Sequence, residues 1–187
     1  MMNRRETILG GLAAGAVMGA STAEAAEAEV INSRVDVALR TLYDSIPGTR
    51  ELAGRAHGVL VMPRVIKGGF ILGGSYGEGA LRLNPADGLG QTAQFYSLGA
   101  ASVGFQAGVQ QTAHALFFLS RDALEKFRRA DGWEAGLDAE VTIVEAGLNI
   151  GTDSTVLQKP IVAFVFNQSG VLAGASVEGA KYTRIIR

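Results

Sequence analysis

Cysteine is absent from all 187 residues. That excludes disulfide staples, zinc–cysteine and iron–sulfur sites, thiol catalysis and a lipid-modified cysteine. Histidine is nearly absent too. His57 and His114 are the two available, and their separation offers no metal-ligating spacing. An excess of either charge is missing as well. Seventeen Lys+Arg against 18 Asp+Glu leave a net charge of −1, so nucleic-acid binding by bulk charge is excluded. What is present in excess is glycine, 25 of 187 residues, roughly double the usual ~7%. Hydrophobic residues make up 48% of the chain, which rules out disorder by composition and suits one folded domain.

The first 25 residues read as a leader. Arg4 and Arg5 form a cationic start, Ile8 to Ala20 is a mildly apolar run rich in Gly and Ala, and Ala23-Glu24-Ala25 is a small-x-small cleavage site. The apolar run falls short of the ~20 residues a spanning helix needs. Paired arginines before such a run suggest the twin-arginine route. The expected organisation is a signal peptide over 1–25 and one domain over 26–187, placed in the periplasm, in solution or peripheral to a membrane.

Past the leader, Ile31, Val35, Ala38, Leu39, Leu42 and Ile46 recur at helical spacing. Pro47-Gly48 ends this helix, and Thr49 is placed to cap a second, short one. From Gly58 the period changes to that of strands. Val59 to Met62 reads as a strand stopped by Pro63, and Phe70 to Leu83 as the next. Further strands follow at 94–109, 113–119, 140–150, 161–166 and 171–177, with a helix capped by Ser120 over 121–130. Asn167 to Gly170 reads as a hairpin turn. The expected fold is α+β: N-terminal amphipathic helices, then a curved, mostly antiparallel, Gly-rich or barrel-like sheet with one inserted helix.

Three motifs tempt. Gly73-Gly74-Ser75-Tyr76-Gly77 matches the G-x-S-x-G nucleophile elbow, which needs a strand, a sharp turn and a helix. Here the following residues read as strand, so no catalytic residue is expected and the chain is read as non-enzymatic. Glu78 and Glu178 occupy equivalent places in two Gly-rich echoes and are read as hydrogen bonded to nearby backbone N–H groups rather than as an acid–base pair. Arg64 and Lys67 sit in a stretch read as a turn, with Val65, Ile66 and Phe70 beside them. That combination suits an anionic headgroup and its acyl chains. No cofactor and no metal are expected.

Gly58 to Phe70, Gly73 to Gly79, the blocks Gln94 to Gly99 and Gly104 to Gly108, and Gly170 to Ala180 together resemble the SYLF lipid-binding domain. The likeness covers essentially the whole of 30–187. The resemblance implies lipid binding. Eukaryotic members bind phosphoinositides and in some cases actin, and bacterial members are exported envelope proteins. The sequence carries neither a lipoprotein cysteine nor an SH3 segment, so an anionic phospholipid or membrane surface is the expected partner, with Arg64, Lys67, Arg82, Lys181, Arg184 and Arg187 as headgroup contacts and Val65, Ile66 and Phe70 as apolar ones. The competing reading is a structural or interaction protein of the envelope, whose Gly-rich sheet and amphipathic helix meet a protein partner.

The leader makes a direct prediction. N-terminal sequencing of the exported protein should begin near Ala26, and replacing Arg4 and Arg5 by lysine should block export by the twin-arginine route. Retention of Met1 on a cytoplasmic product contradicts the reading.

Overall fold

The computed structural model describes residues 7–69, 72–85, 88–103, 109–144, 154–167, 170–172 and 175–187, with side chains from residue 24 onward except at 69, 72, 102, 103, 109 and 154. The amphipathic stretch belongs to one long helix, α1 (Thr7–Ser45), which starts well before Ile31, the first position of the expected apolar stripe. No helix among the described residues is long and apolar enough to cross a membrane. Helix α2 (Thr49–Arg55) follows a left-handed Gly48. Thr49 does not cap it, as the sequence suggested. Its buried hydroxyl instead donates to the Ile46 carbonyl at 2.7 Å, just past the end of α1.

Four long strands come next: β1 (Gly58–Gly69), β2 (Leu72–Leu83), β3 (Gln91–Val103) and β4 (Val109–Phe118). Helix α3 (Arg121–Arg129) is capped by Ser120, as expected. Then come β5 (Trp133–Glu134), β6 (Thr142–Ile143), the one-turn helix α4 (Ser154–Leu157), β7 (Ile161–Asn167), β8 (Gly170–Val171) and β9 (Lys181–Ile185). They form one curved sheet, a half-barrel ordered β5-β9-β3-β2-β1-β4-β7-β6, with β8 on β7. Every pairing between these strands is antiparallel except β6 with β7. The expected α+β fold is thus the observed one, with α4 as an additional helical turn. Of the strands expected at 140–150 and 171–177, the described residues carry strand at Thr142–Ile143 and Gly170–Val171, and 145–150 and 173–174 lie outside the described residues, as do 168–169 of the hairpin turn, 104–108 and Phe70.

Pro63 does not stop β1. The strand passes through it with one extra residue: Val61 pairs with Ala80 but Arg64 with Glu78, and on the other side Met62 pairs with His114 but Val65 with Thr112. Proline lacks the N–H that a central strand must donate, and a bulge is where a sheet tolerates it. The consequence is a change of parity. Val59 and Val61 face α1 and Leu60 and Met62 face away, yet beyond the bulge it is Val65 that joins Leu60 and Met62 in the far core. Arg64 and Ile66 therefore project to the α1 side. The bulge also explains two of the glycines. A Cβ on Gly79 would fall inside the Val61 carbonyl, and one on Gly77 would lie 2.6 Å from the Arg64 carbonyl oxygen.

Each face of the sheet carries a core. On one, α1 buries Ile31, Val35, Leu39 and Leu42 against Val59, Val61, Phe117, Phe164 and Phe166. Fully burying each such side chain is worth about 1.5–3 kcal/mol, so the apolar stripe is what docks the helix. Polar contacts set its position: Arg82 of β2 reaches Asp36 Oδ1 at 2.6 Å and the Asn32 carbonyl at 3.2 Å, and Thr92 of β3 donates to Asn32 Oδ1 at 2.6 Å. On the other face, Phe127 of α3 packs among Tyr96, Phe118 and Trp133 with ring centroids 4.8, 4.9 and 5.3 Å away.

Two predictions follow from this packing. Gly79→Ala should lose on the order of 3 kcal/mol in urea unfolding, since backbone must move to admit a methyl group. Gly74→Ala, whose Cβ would meet nothing closer than 3.6 Å, should lose far less. Equal losses would contradict the bulge account. The second concerns His114, buried in β4 with Nδ1 unpartnered and Nε2 3.2 Å from Thr112 Oγ1. Burial lowers its pKa from 6.5 to about 4. The unfolded chain then binds the extra proton between about pH 6.5 and 4, so stability falls with pH through that window and the cost is fully present below it. His114→Leu should remove about 3 kcal/mol of the stability loss between pH 7 and pH 4. An unchanged loss in the variant would contradict the assignment.

Candidate functional site

Helix α1 and the sheet close tightly along Val35, Leu39 and Leu42 but part beside them. A groove of about 880 Å³ runs there, walled by Arg34, Val37 and Thr41 of α1 on one side and by Arg64 and Gln111 of β1 and β4 on the other. Ala38, Ala113 and Phe166 supply its apolar floor. Small side chains at Ala38 and Ala113 keep helix and strand from filling the space. Its size is within the ordinary range for small-molecule clefts, ~300–1,000 Å³. A second cleft of about 210 Å³ lies next to it, lined by Ile31, Ile66, Tyr76 and Glu78. Arg34, Pro63 and Arg64 line both, so they form the divide between the two.

The electrostatics of the two clefts differ. Glu78 accepts a hydrogen bond from Tyr76 Oη at 2.6 Å and another from the Arg187 guanidinium at 2.6 Å. Burial pushes its pKa up, but these bonds and the Arg187 charge outweigh that and hold the carboxyl below its ordinary value. Arg187 also pairs with Glu27 of α1 at 3.4 Å, and its own pKa is raised by the bond to Glu78. The Glu78 carboxylate is thus engaged by both Tyr76 and Arg187. At the divide, Arg64 Nε donates to Gln111 Oε1 at 3.0 Å, and neither Arg34 nor Arg64 has a carboxylate partner among the described residues.

The structure does not gather the sequence-derived candidates into one patch. Arg64 and Ile66 line the clefts, Ile66 being 39% exposed. Lys67 is exposed but, by strand alternation, on the opposite face from Arg64. The stretch that holds them is strand, not turn. Val65 is buried in the far core. Arg82 is buried too, 7% exposed, and its charge is engaged by Asp36. Burial lowers its pKa and Asp36 partly restores it. Lys181 and Arg184 lie on β9, three strands from β1, and Arg184 donates to the Arg128 carbonyl. Phe70 lies outside the described residues. Ser75 is in the middle of β2, paired with Lys67 and Ala100, so the strand–turn–helix of a nucleophile elbow is not formed there. Glu178 is exposed, and the bond at that residue runs from its backbone N–H to Ser176 Oγ rather than to its carboxylate.

Sequence reasoning missed Arg34 and Gln111. Arg34 carried a weak signal, since it borders the apolar stripe between Ile31 and Val35 rather than lying opposite it. Gln111 carried none, because its value comes from its position across the ladder beside Ile66 and next to Arg64.

A search of curated proteins finds no match to the chain. The model of the Ysc84 family, described as Las17-binding protein actin regulator, matches residues 99–184. That stretch runs from within β3 to within β9 and includes β4, which supplies Gln111 and Ala113 to the groove. The SYLF resemblance is thus shown, with the Ysc84 (SYLF) domain matched over residues 99–184.

Proposed function

We propose that this is a non-enzymatic lipid-binding protein of the periplasm, which contacts anionic phospholipid at the envelope membrane. The observation that carries the reading is the groove beside α1: an apolar floor with two arginines at one end that no described carboxylate neutralises. An amphiphile with a negative head and an apolar tail is the ligand that such an arrangement complements. The Ysc84 (SYLF) match supports lipid or actin-regulator binding in general terms. With a net charge of −1 there is no long-range pull toward a negative surface, so the contact is local.

Vesicle sedimentation tests this. The protein, with its leader removed, should bind phosphatidylglycerol-containing vesicles better than phosphatidylcholine ones. The charged part of that binding should fade at 1 M salt, where the Debye length falls to ~3 Å. Arg34→Ala/Arg64→Ala should bind about thirtyfold more weakly at low salt, at roughly 1 kcal/mol per cation, while Lys67→Ala, on the opposite face, should bind as wild type. No preference for anionic vesicles, together with a single captured protein partner, would instead favour the interaction-protein reading.

A further inference from the structure

We propose that Arg34 and Arg64 form a two-armed clamp for the phosphate of a single phospholipid molecule, whose acyl part lies in the groove over Ala38, Ala113 and Phe166. The site rests on the lipid-binding reading above and assigns it to particular atoms. The two arginines come from different elements, α1 and β1, yet both line the large groove and the small cleft, so they face the same point. Gln111 Oε1 accepts from Arg64 Nε at 3.0 Å. That fixes the plane of the guanidinium and leaves both Nη groups to donate, the fork that matches two oxygens of a phosphate.

Four of the described cations are engaged by acids: Arg82 by Asp36, Arg129 by Glu125, Lys159 by Glu140 and Arg187 by Glu78 and Glu27. The clamp pair is not, so an anion arriving there displaces no described ion pair. The neighbouring small cleft bears Glu78, whose carboxylate is already satisfied by Tyr76 and Arg187. It repels a phosphate and takes no further cation, which sends the head to the divide and the tail into the larger groove. The floor there is apolar: Ala113 and Phe166 are buried, while Val37, 60% exposed, adds an apolar rim.

The test is isothermal titration of the mature protein with a short-chain phosphatidylglycerol below its micellar concentration, with inorganic phosphate and glycerol phosphate as separate arms. Arg34→Gln and Arg64→Gln should each weaken lipid binding by about tenfold, the scale of losing one charge-assisted contact. Arg64→Lys should not rescue, because a point charge lacks the fork. Thr41→Trp fills the groove without altering charge, and its hydroxyl bonds only the Val37 carbonyl of its own helix. It should abolish the gain in affinity on lengthening the acyl chains. Lys126→Gln/Arg129→Gln, on α3, should bind as wild type. Melting curves must show each variant folded.

Wild-type affinity in a folded Arg34→Gln/Arg64→Gln protein, or an unaltered chain-length dependence in Thr41→Trp, overturns the site while leaving the lipid-binding reading intact. Phosphate binding as tightly as the lipid also overturns it, because the groove then contributes nothing. A wild-type protein that binds neither the short-chain lipid nor vesicles overturns the lipid-binding reading itself.

Discussion

Pro63 sits in β1, between β2 and β4, and has no amide proton to give to either neighbour. The strand meets that constraint by carrying one extra residue, and the extra residue reverses which side chains face which way. Had β1 kept its alternation, Arg64 would point into the aromatic core under α3 and Val65 toward α1. A charged guanidinium in that core would be costly without a partner. With the bulge, Val65 completes the apolar side and Arg64 stands beside the helix. Gly77 and Gly79 on β2 belong to the same device, since any side chain there would collide with the displaced carbonyls of β1.

The position of α1 follows from two kinds of contact acting together. Apolar burial along Ile31, Val35, Leu39 and Leu42 supplies the energy but tolerates sliding and rotation. The bonds from Arg82 and Thr92 to Asp36 and Asn32 are directional and remove that freedom. They grip the helix on the β2–β3 side. Toward β4, small side chains at Ala38 and Ala113 leave a groove open beside the helix. A groove thus results from an asymmetric grip, with Arg34 carried to its mouth by the same helical turn that carries Val35 into the core. The buried Arg82 stabilises this geometry through its acceptors; left unpaired, it would destabilise it.

Much of this was legible in the residues, and the failures have physical causes. The stripe on α1 could be read because helical burial leaves a 3.6-residue signature that no other element imitates. The antiparallel Gly-rich sheet was likewise legible, from alternation and the Asn167–Gly170 turn. Pro63 misled because a proline that stops a strand and one that bulges it look identical until the partner strands are known. Arg82 read as a surface cation because charge type says nothing of burial, and Asp36 lies 46 residues away in the chain. Arg34 went unread, although its neighbours Ile31 and Val35 mark it as lying at the edge of the buried stripe. The convergence of Arg34, Arg64 and Gln111 is a product of topology, and local pattern cannot contain it.

The central claim is that the space between α1 and the β1–β4–β7 side of the sheet holds a lipid. Native mass spectrometry of the protein, purified without detergent after incubation with mixed phospholipid vesicles, addresses it directly. The account predicts a population heavier by the mass of one phospholipid, released intact on activation and absent from the Thr41→Trp variant. A bare protein under the same conditions, or an adduct retained equally by the variant with its groove filled, would contradict it.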